Sequence, residues 1–233
     1  RGLGDVYKRQ DLHPSKVLER PKVVYNKKTG KFVMWAHVES ADYSKACAGV
    51  AVSDSPVGPF VYQGSFRPNN AMSRDQTVFV DDDGRAYQFY SSENNETMYI
   101  SLLTDDYLKP SGRFTRNFVK ESREAPAVFK YNGKYYLSYS DNHDENWNDG
   151  VKGDNRMRYA VSDSPLGPWE SKGIYMEPTD SYTNHGSIVE FKGQWYSFYH
   201  NSALSGHDWL RSICVDKLYY NPDGTIQIVK QTK

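Results

Sequence analysis

Cysteine is scarce in this 233-residue chain: Cys47 and Cys214 form no metal or redox spacing and read as two free strand thiols. No charge of one sign prevails, since 29 Lys and Arg balance 29 Asp and Glu without a stretch of either. A nucleic-acid or anionic-membrane partner is therefore not expected. No apolar run approaches the roughly 18 to 20 residues of a membrane span, and no signal-peptide pattern opens the chain. A Gly-rich phosphate loop, a Ser-His-Asp order and a cysteine nucleophile are also missing. Small neutral ligands remain, bound by a chain expected to be monomeric.

Aromatic residues are what the chain has in quantity: 15% of positions, with 19 Tyr and 5 Trp. Such usage suits β-strands and also suits stacking on flat sugar faces, and strand formation alone accounts for it. Residues 1–10, "RGLGDVYKRQ", match nothing in the pattern that follows and read as translated adapter sequence, to be set aside from fold reasoning. Residues 11–233 are read as one domain.

That domain is repetitive. Four hairpin signals, at 23–37, 78–92, 128–140 and 188–200, turn at Gly30, Gly84, Gly133 and Gly193, spaced 54, 49 and 60 residues apart. Each consists of two β-rich runs around a short Asn/Asp/Gly/Lys turn. Between hairpins, "AGVAVSDSPVGPF" (48–60) and "MRYAVSDSPLGPW" (157–169) are near copies, each a third strand followed by a Pro/Gly bend and an aromatic. The stretches 97–108 and 210–224 are the third strands of the other two units. Antiparallel units at this period, with no helical pattern between them, predict β-propeller blades. A β-sandwich would not repeat the bend motif in register, and a β-helix repeat would be shorter. The predicted class is all-β, with about four blades of a propeller and the first blade missing or incomplete.

Alignment on the turn glycines brings out one phase of the repeat. Asp75 lies nine residues before Gly84, Glu124 nine before Gly133 and His185 eight before Gly193, with Glu19 and Arg20 in the matching region of the first unit. Blades are related by rotation, so these side chains are expected at one mouth of a central channel. A single acid before a strand is commonly a turn residue; two acids and a His at one phase point to shared chemistry. Paired carboxyl groups suit glycoside hydrolysis, one protonated to donate to the leaving oxygen and another ionised. A third carboxylate can keep the acid protonated by like-charge repulsion.

Together, "SRDQTVFVDDDGRAY", "REAPAVFKYNGKYYLSYS" and "TNHGSIVEFKGQWYSFYH" resemble the five-bladed propellers of glycoside hydrolase family 43, over roughly residues 19 to 228. The resemblance implies exo-acting, inverting hydrolysis of arabinose, xylose or galactose units in plant polysaccharides. It makes Glu124 the general acid and Asp75 the residue that tunes and orients it. It gives His185 a link, through water, to a structural calcium ion near the propeller axis, with no cofactor required. Arg211 and Glu19 become substrate-binding candidates, and a secreted or periplasmic location follows. The family's general base, an Asp in a first-blade "DP" motif, has no counterpart here, because Asp11 in "DLHPS" lacks the strand that should follow. The base is thus unassigned. The early part looks most like exo-β-1,3-galactanases and the later part like arabinofuranosidases and xylosidases. The alternative reading is a propeller, or a fragment without its base, that binds carbohydrate without cleaving it.

Two other stretches invite a function. "DDDG" at 81–84 lacks the Glu an EF-hand loop needs at its twelfth position and reads as a hairpin turn. The polar loop 140–155 is longer than a plain connection, and Trp147 is its candidate sugar-stacking platform.

Overall fold

The computed structural model describes residues 11–118, 124–140 and 155–232. Residues 1–10, the loop around Trp147 and Trp147 itself lie outside the described residues. The chain forms two compact units, Arg1–Val119 and Lys120–Lys233.

In the first unit, β1 (Val17–Asn26), β2 (Lys31–Glu39), β3 (Cys47–Ser53) and β4 (Val61–Phe66) form one antiparallel sheet in chain order. A second sheet follows the same order with β5 (Gln76–Val80), β6 (Ala86–Ser92), β7 (Thr97–Leu103) and β8 (Pro110–Asn117). In the second unit, β9 (Glu124–Tyr131), β10 (Lys134–Ser140), β11 (Met157–Ser162) and β12 (Glu170–Met176) form the third sheet. The last has three strands: β13 (Ser187–Phe191), β14 (Gln194–Asn201) and β15 (Ser212–Leu218). The expected hairpins are β1–β2, β5–β6, β9–β10 and β13–β14. Their turn glycines all hold positive φ, from 69° to 80°, which a side chain at that position would oppose. A 3₁₀ turn spans Pro68–Asn70. Both cysteines are free, Cys47 opening β3 and Cys214 within β15.

Burial explains the aromatic content. In the first unit Trp35, fully buried, packs with Val24, Val33, Val50 and Val78, and its indole N–H donates to the Tyr107 carbonyl at 2.8 Å. In the second, Tyr131 and Tyr220 stack with ring centroids 3.7 Å apart, next to Phe129, Tyr136 and Trp195. Large rings filling the space between blades contribute apolar burial and ring–ring contacts together.

Strand β1 carries a bulge. Glu19 pairs with His37 and Lys22 with Trp35, so Arg20 and Pro21 face the single residue Ala36. Because β1 lies at the edge of its sheet, a proline there removes no ladder hydrogen bond. The extra residue shifts the parity of the strand, placing Glu19 on the same face as Val24, His37 and Trp35. Arg20 adopts φ 52° at the bulge, and the buried Gln76 amide holds its carbonyl at 2.7 Å.

Candidate active site

The inward face of β2 changes character along its length. Val33 and Trp35 belong to the core; His37 and Glu39, two positions apart beyond them, are as deeply buried, at 2% and 0% exposure. Polar groups at such depth are costly unless partnered. Glu39 Oε1 accepts the backbone N–H groups of Ala46 at 2.7 Å and Ser40 at 3.0 Å, and its Oε2 lies 3.4 Å from His37 Nε2. On its other side His37 turns Nδ1 to Glu19 Oε2, 3.2 Å away. Glu19 Oε1 accepts the Tyr43 hydroxyl at 2.9 Å.

Asp75 completes this cluster, because ligand atoms of Glu19, His37 and Asp75 all lie within 4.8 Å of one another. It immediately precedes β5, and its carbonyl accepts the Ser91 N–H at 2.9 Å at the far end of β6. Electrostatics follow from the contacts. His37 holds the Glu19 carboxyl below its ordinary range, against burial and the charge of Asp75, with help from Tyr43. The Tyr43 phenol is pushed up to about 12, first by burial and then by its bond to Glu19. Glu19 is therefore an ionised acceptor at neutral pH, suited to a sugar hydroxyl.

Glu124 opens β9 and pairs with Ser140 at the end of β10. Its station matches that of Glu19 opposite His37 and of Asp75 opposite Ser91, the head of a first strand facing the tail of a second. The Tyr182 phenol is raised by burial and then by the nearby Glu124 carboxylate. His185 precedes β13, its ring 5.6 Å from that of His200, whose Nε2 is 2.7 Å from the Thr183 carbonyl. Gly186 lies so close to Tyr175 that a Cβ there would stand 2.6 Å from its hydroxyl. Arg211 is exposed and folds its Nε onto the Asp208 carbonyl at 2.7 Å.

Asp11 is no spare base. Burial pushes its carboxyl up, but bonds from Lys45, Ser65 at 2.7 Å and Tyr62 at 2.9 Å outweigh that and hold it low. It is an anchor for β4.

Among the described residues no group of three His, Cys, Asp or Glu side chains converges at His185. Calcium takes six to eight oxygen ligands, and the contact described for His185 is the ring of His200, 5.6 Å away between centroids. Among the described residues the one converging His/Asp/Glu trio is Glu19, His37 and Asp75, which excludes His185. In that trio both Glu19 oxygens already face protein groups and both His37 nitrogens face carboxylates. No step is routed through an ion.

Sequence reasoning named Glu19, Asp75, Glu124 and His185; of these the structure brings Glu19 and Asp75 together, and it adds His37, Glu39 and Tyr43, which the sequence did not single out. The available signal was "AHVE": two ionisable residues at alternate positions closing a strand otherwise apolar on both faces.

Four antiparallel blade sheets, three with an acid and the last with His185 at or just before the first strand, define the class as an all-β protein of five-bladed β-propeller architecture with four blades present. Residues 21–226 match the family described as Glycosyl hydrolases family 43. A β-xylosidase of Xylanibacter ruminicola is 34% identical over 78% of this chain and 66% of its own length. A solved structure of a family 43 β-1,3-galactosidase with galactodeoxynojirimycin superposes with TM-score 0.82 at 31% identity, over 95% of this chain and 77% of that one. A family 43 β-xylosidase/α-arabinofuranosidase from a compost metagenome, in complex with xylotriose in a calcium-free form, gives TM-score 0.71 at 31% identity, over 89% and 72%. The chain belongs to glycosyl hydrolase family 43. It spans 66% of the length of the curated xylosidase it matches.

Proposed function

We propose that this chain carries out exo-acting, inverting hydrolysis of glycosidic bonds in plant polysaccharide side chains, on a pentose or galactose unit. The carrying observation is the shared station of Asp75 and Glu124, each at the head of its blade's first strand opposite the end of the second. Family membership and the ionised Glu19 beside Asp75 support the same reading. Glu124 acts as general acid, protonating the leaving oxygen. Asp75 orients and tunes it. Glu19 accepts a hydroxyl of the sugar whose bond is cleaved, and Arg211 and Trp147 contribute to substrate binding. The water that inverts the anomeric carbon needs a base, and Asp11, held by three partners, is not it.

No cofactor enters this reading. A calcium ion linked to His185 would be held through water, since among the described residues His185 belongs to no converging trio of His, Asp and Glu side chains. A polysaccharide substrate places the working protein outside the cytoplasm, as a monomer without nucleic-acid or membrane partners. Among the described residues no helix is long and apolar enough to cross a membrane.

The test is release of aryl groups from α-L-arabinofuranosides, β-D-xylosides and β-D-galactosides, with arabinan, xylan and β-1,3-galactan alongside and Glu124→Ala and Asp75→Asn as controls. Proton NMR of the first sugar released reads its anomer. Should every substrate remain intact while sugars still bind, the chain is a carbohydrate-binding propeller and the enzymatic reading fails.

A further inference from the structure

Glu19 is presented by groups that stand behind it. Its Oε1 accepts from Tyr43 and its Oε2 faces His37 Nδ1, so the plane of the carboxylate is set from two sides, with Asp75 on a third. Tyr43 sits on the turn from Ser40 to Ala46, where Tyr43 and Ala46 adopt φ of 57° and 44°, a region that non-glycine residues avoid without support. That support is Glu39. One of its oxygens accepts from the N–H groups at both ends of the turn, Ser40 and Ala46, and the other faces the far nitrogen of His37. Burial of a carboxylate at 0% exposure is unfavourable in itself, and the apolar partners of β2 do nothing to require it. The polar contacts described for Glu39 go to His37, which faces Glu19, and to Ser40 and Ala46, the ends of the turn that carries Tyr43.

We propose that Glu39 is a positioning residue for sugar binding: through the His37 ring and the Tyr43-bearing turn it fixes both oxygens of Glu19. The proposal rests on the reading of Glu19 as the sugar-binding carboxylate. It predicts one unit of function made of four residues, in which loss of the buried member acts only through the member that meets the ligand.

A double-mutant cycle tests this, with D-galactose, D-xylose and L-arabinose titrated calorimetrically into the folded chain. Glu39→Ala is expected to weaken the sugar that binds by roughly tenfold to a hundredfold, the scale of lost hydrogen bonds to a charged group. Glu39→Gln, which keeps the acceptor for Ser40 and Ala46, is expected to lose less than about threefold. In a Glu19→Gln background Glu39→Ala should change affinity by no more than about twofold, since its route is already cut. Losses that multiply in the double variant, or Glu39→Gln as weak as Glu39→Ala, overturn the proposal. If Glu39→Ala does not fold, Tyr43→Phe combined with His37→Gln goes through the same cycle and is expected to show the same non-additivity with Glu19→Gln.

A readout without sugar separates this proposal from the reading beneath it. In the unliganded chain the 13C carboxyl resonance of Glu19 should titrate below the ordinary 4.5 and move upward in Glu39→Ala. An unmoved Glu19 titration overturns the role of Glu39 whether or not sugar binds. A wild-type chain that binds none of the three sugars overturns the role of Glu19 instead, and the carboxyl titration still decides on Glu39.

Discussion

Glu19 and His37 face each other across the β1–β2 ladder, with Glu19 Oε2 3.2 Å from His37 Nδ1. The contact lowers the Glu19 carboxyl relative to its unfolded value, so the charged form favours the folded state. For a depressed acid, that contribution is present above the unfolded value of 4.5 and is lost as pH falls through the folded one. The gap in melting temperature between wild type and Glu19→Gln is therefore expected to be full at pH 6 to 7 and to close as pH falls from about 5 toward 3. Partial exposure of the carboxylate keeps the effect small. Melting curves across that range check it, and a gap that widens on acidification contradicts the assignment.

Glu124→Gln keeps the shape of the side chain and removes the proton that the proposed mechanism gives to the leaving oxygen. Turnover on unactivated glycosides is expected to fall by roughly 10² to 10⁴-fold, the usual contribution of a positioned acid. Substrates with nitrophenol leaving groups, which need little protonation, should lose far less. Equal losses on both would assign Glu124 to binding rather than proton transfer.

Gly186 stands beside His185 with no room for another carbon: a Cβ would lie 2.6 Å from the Tyr175 hydroxyl and 2.9 Å from Met157 Cε. Tyr175 is fully buried and bonds Ser138 at 2.7 Å, so it has nowhere to retreat. Gly186→Ala is expected to cost about 1 to 3 kcal/mol as overpacking. Urea denaturation of the two proteins measures it.

The last blade shows water an apolar row, with Phe191 61%, Ile213 84% and Val215 47% exposed. An open patch of this kind binds hydrophobic dyes and favours association. Ile213→Lys with Val215→Lys should at least halve anilinonaphthalene sulfonate fluorescence without lowering the melting temperature. Unchanged fluorescence would place the dye elsewhere.

The blade pattern was legible in the sequence because hairpin turns need glycine at a fixed place, and the four turn glycines recur on that spacing. The placement of Asp75, Glu124 and His185 at or just before first strands was legible as well, since phase within a repeat survives without coordinates. The support for Glu19 was not. His37 and Glu39 read as the tail of an apolar strand, and nothing in their spacing reveals that they sit at 2% and 0% exposure with a turn wrapped around one carboxylate. The bulge hid part of the register too: Glu19 lies 11 residues before its turn glycine where Asp75 lies nine before its own, and the sharing of one partner by Arg20 and Pro21 absorbs one of those two extra residues.

That bulge makes the first blade adjustable. Deleting Arg20 or Pro21 would remove the bulge and leave Glu19 opposite His37, whereas inserting one residue there with the bulge kept would bring Arg20 in front of His37. Length at this one place, rather than composition elsewhere in the blade, therefore sets whether an acid or a base stands in front of His37, while β2, β3 and β4 stay as they are.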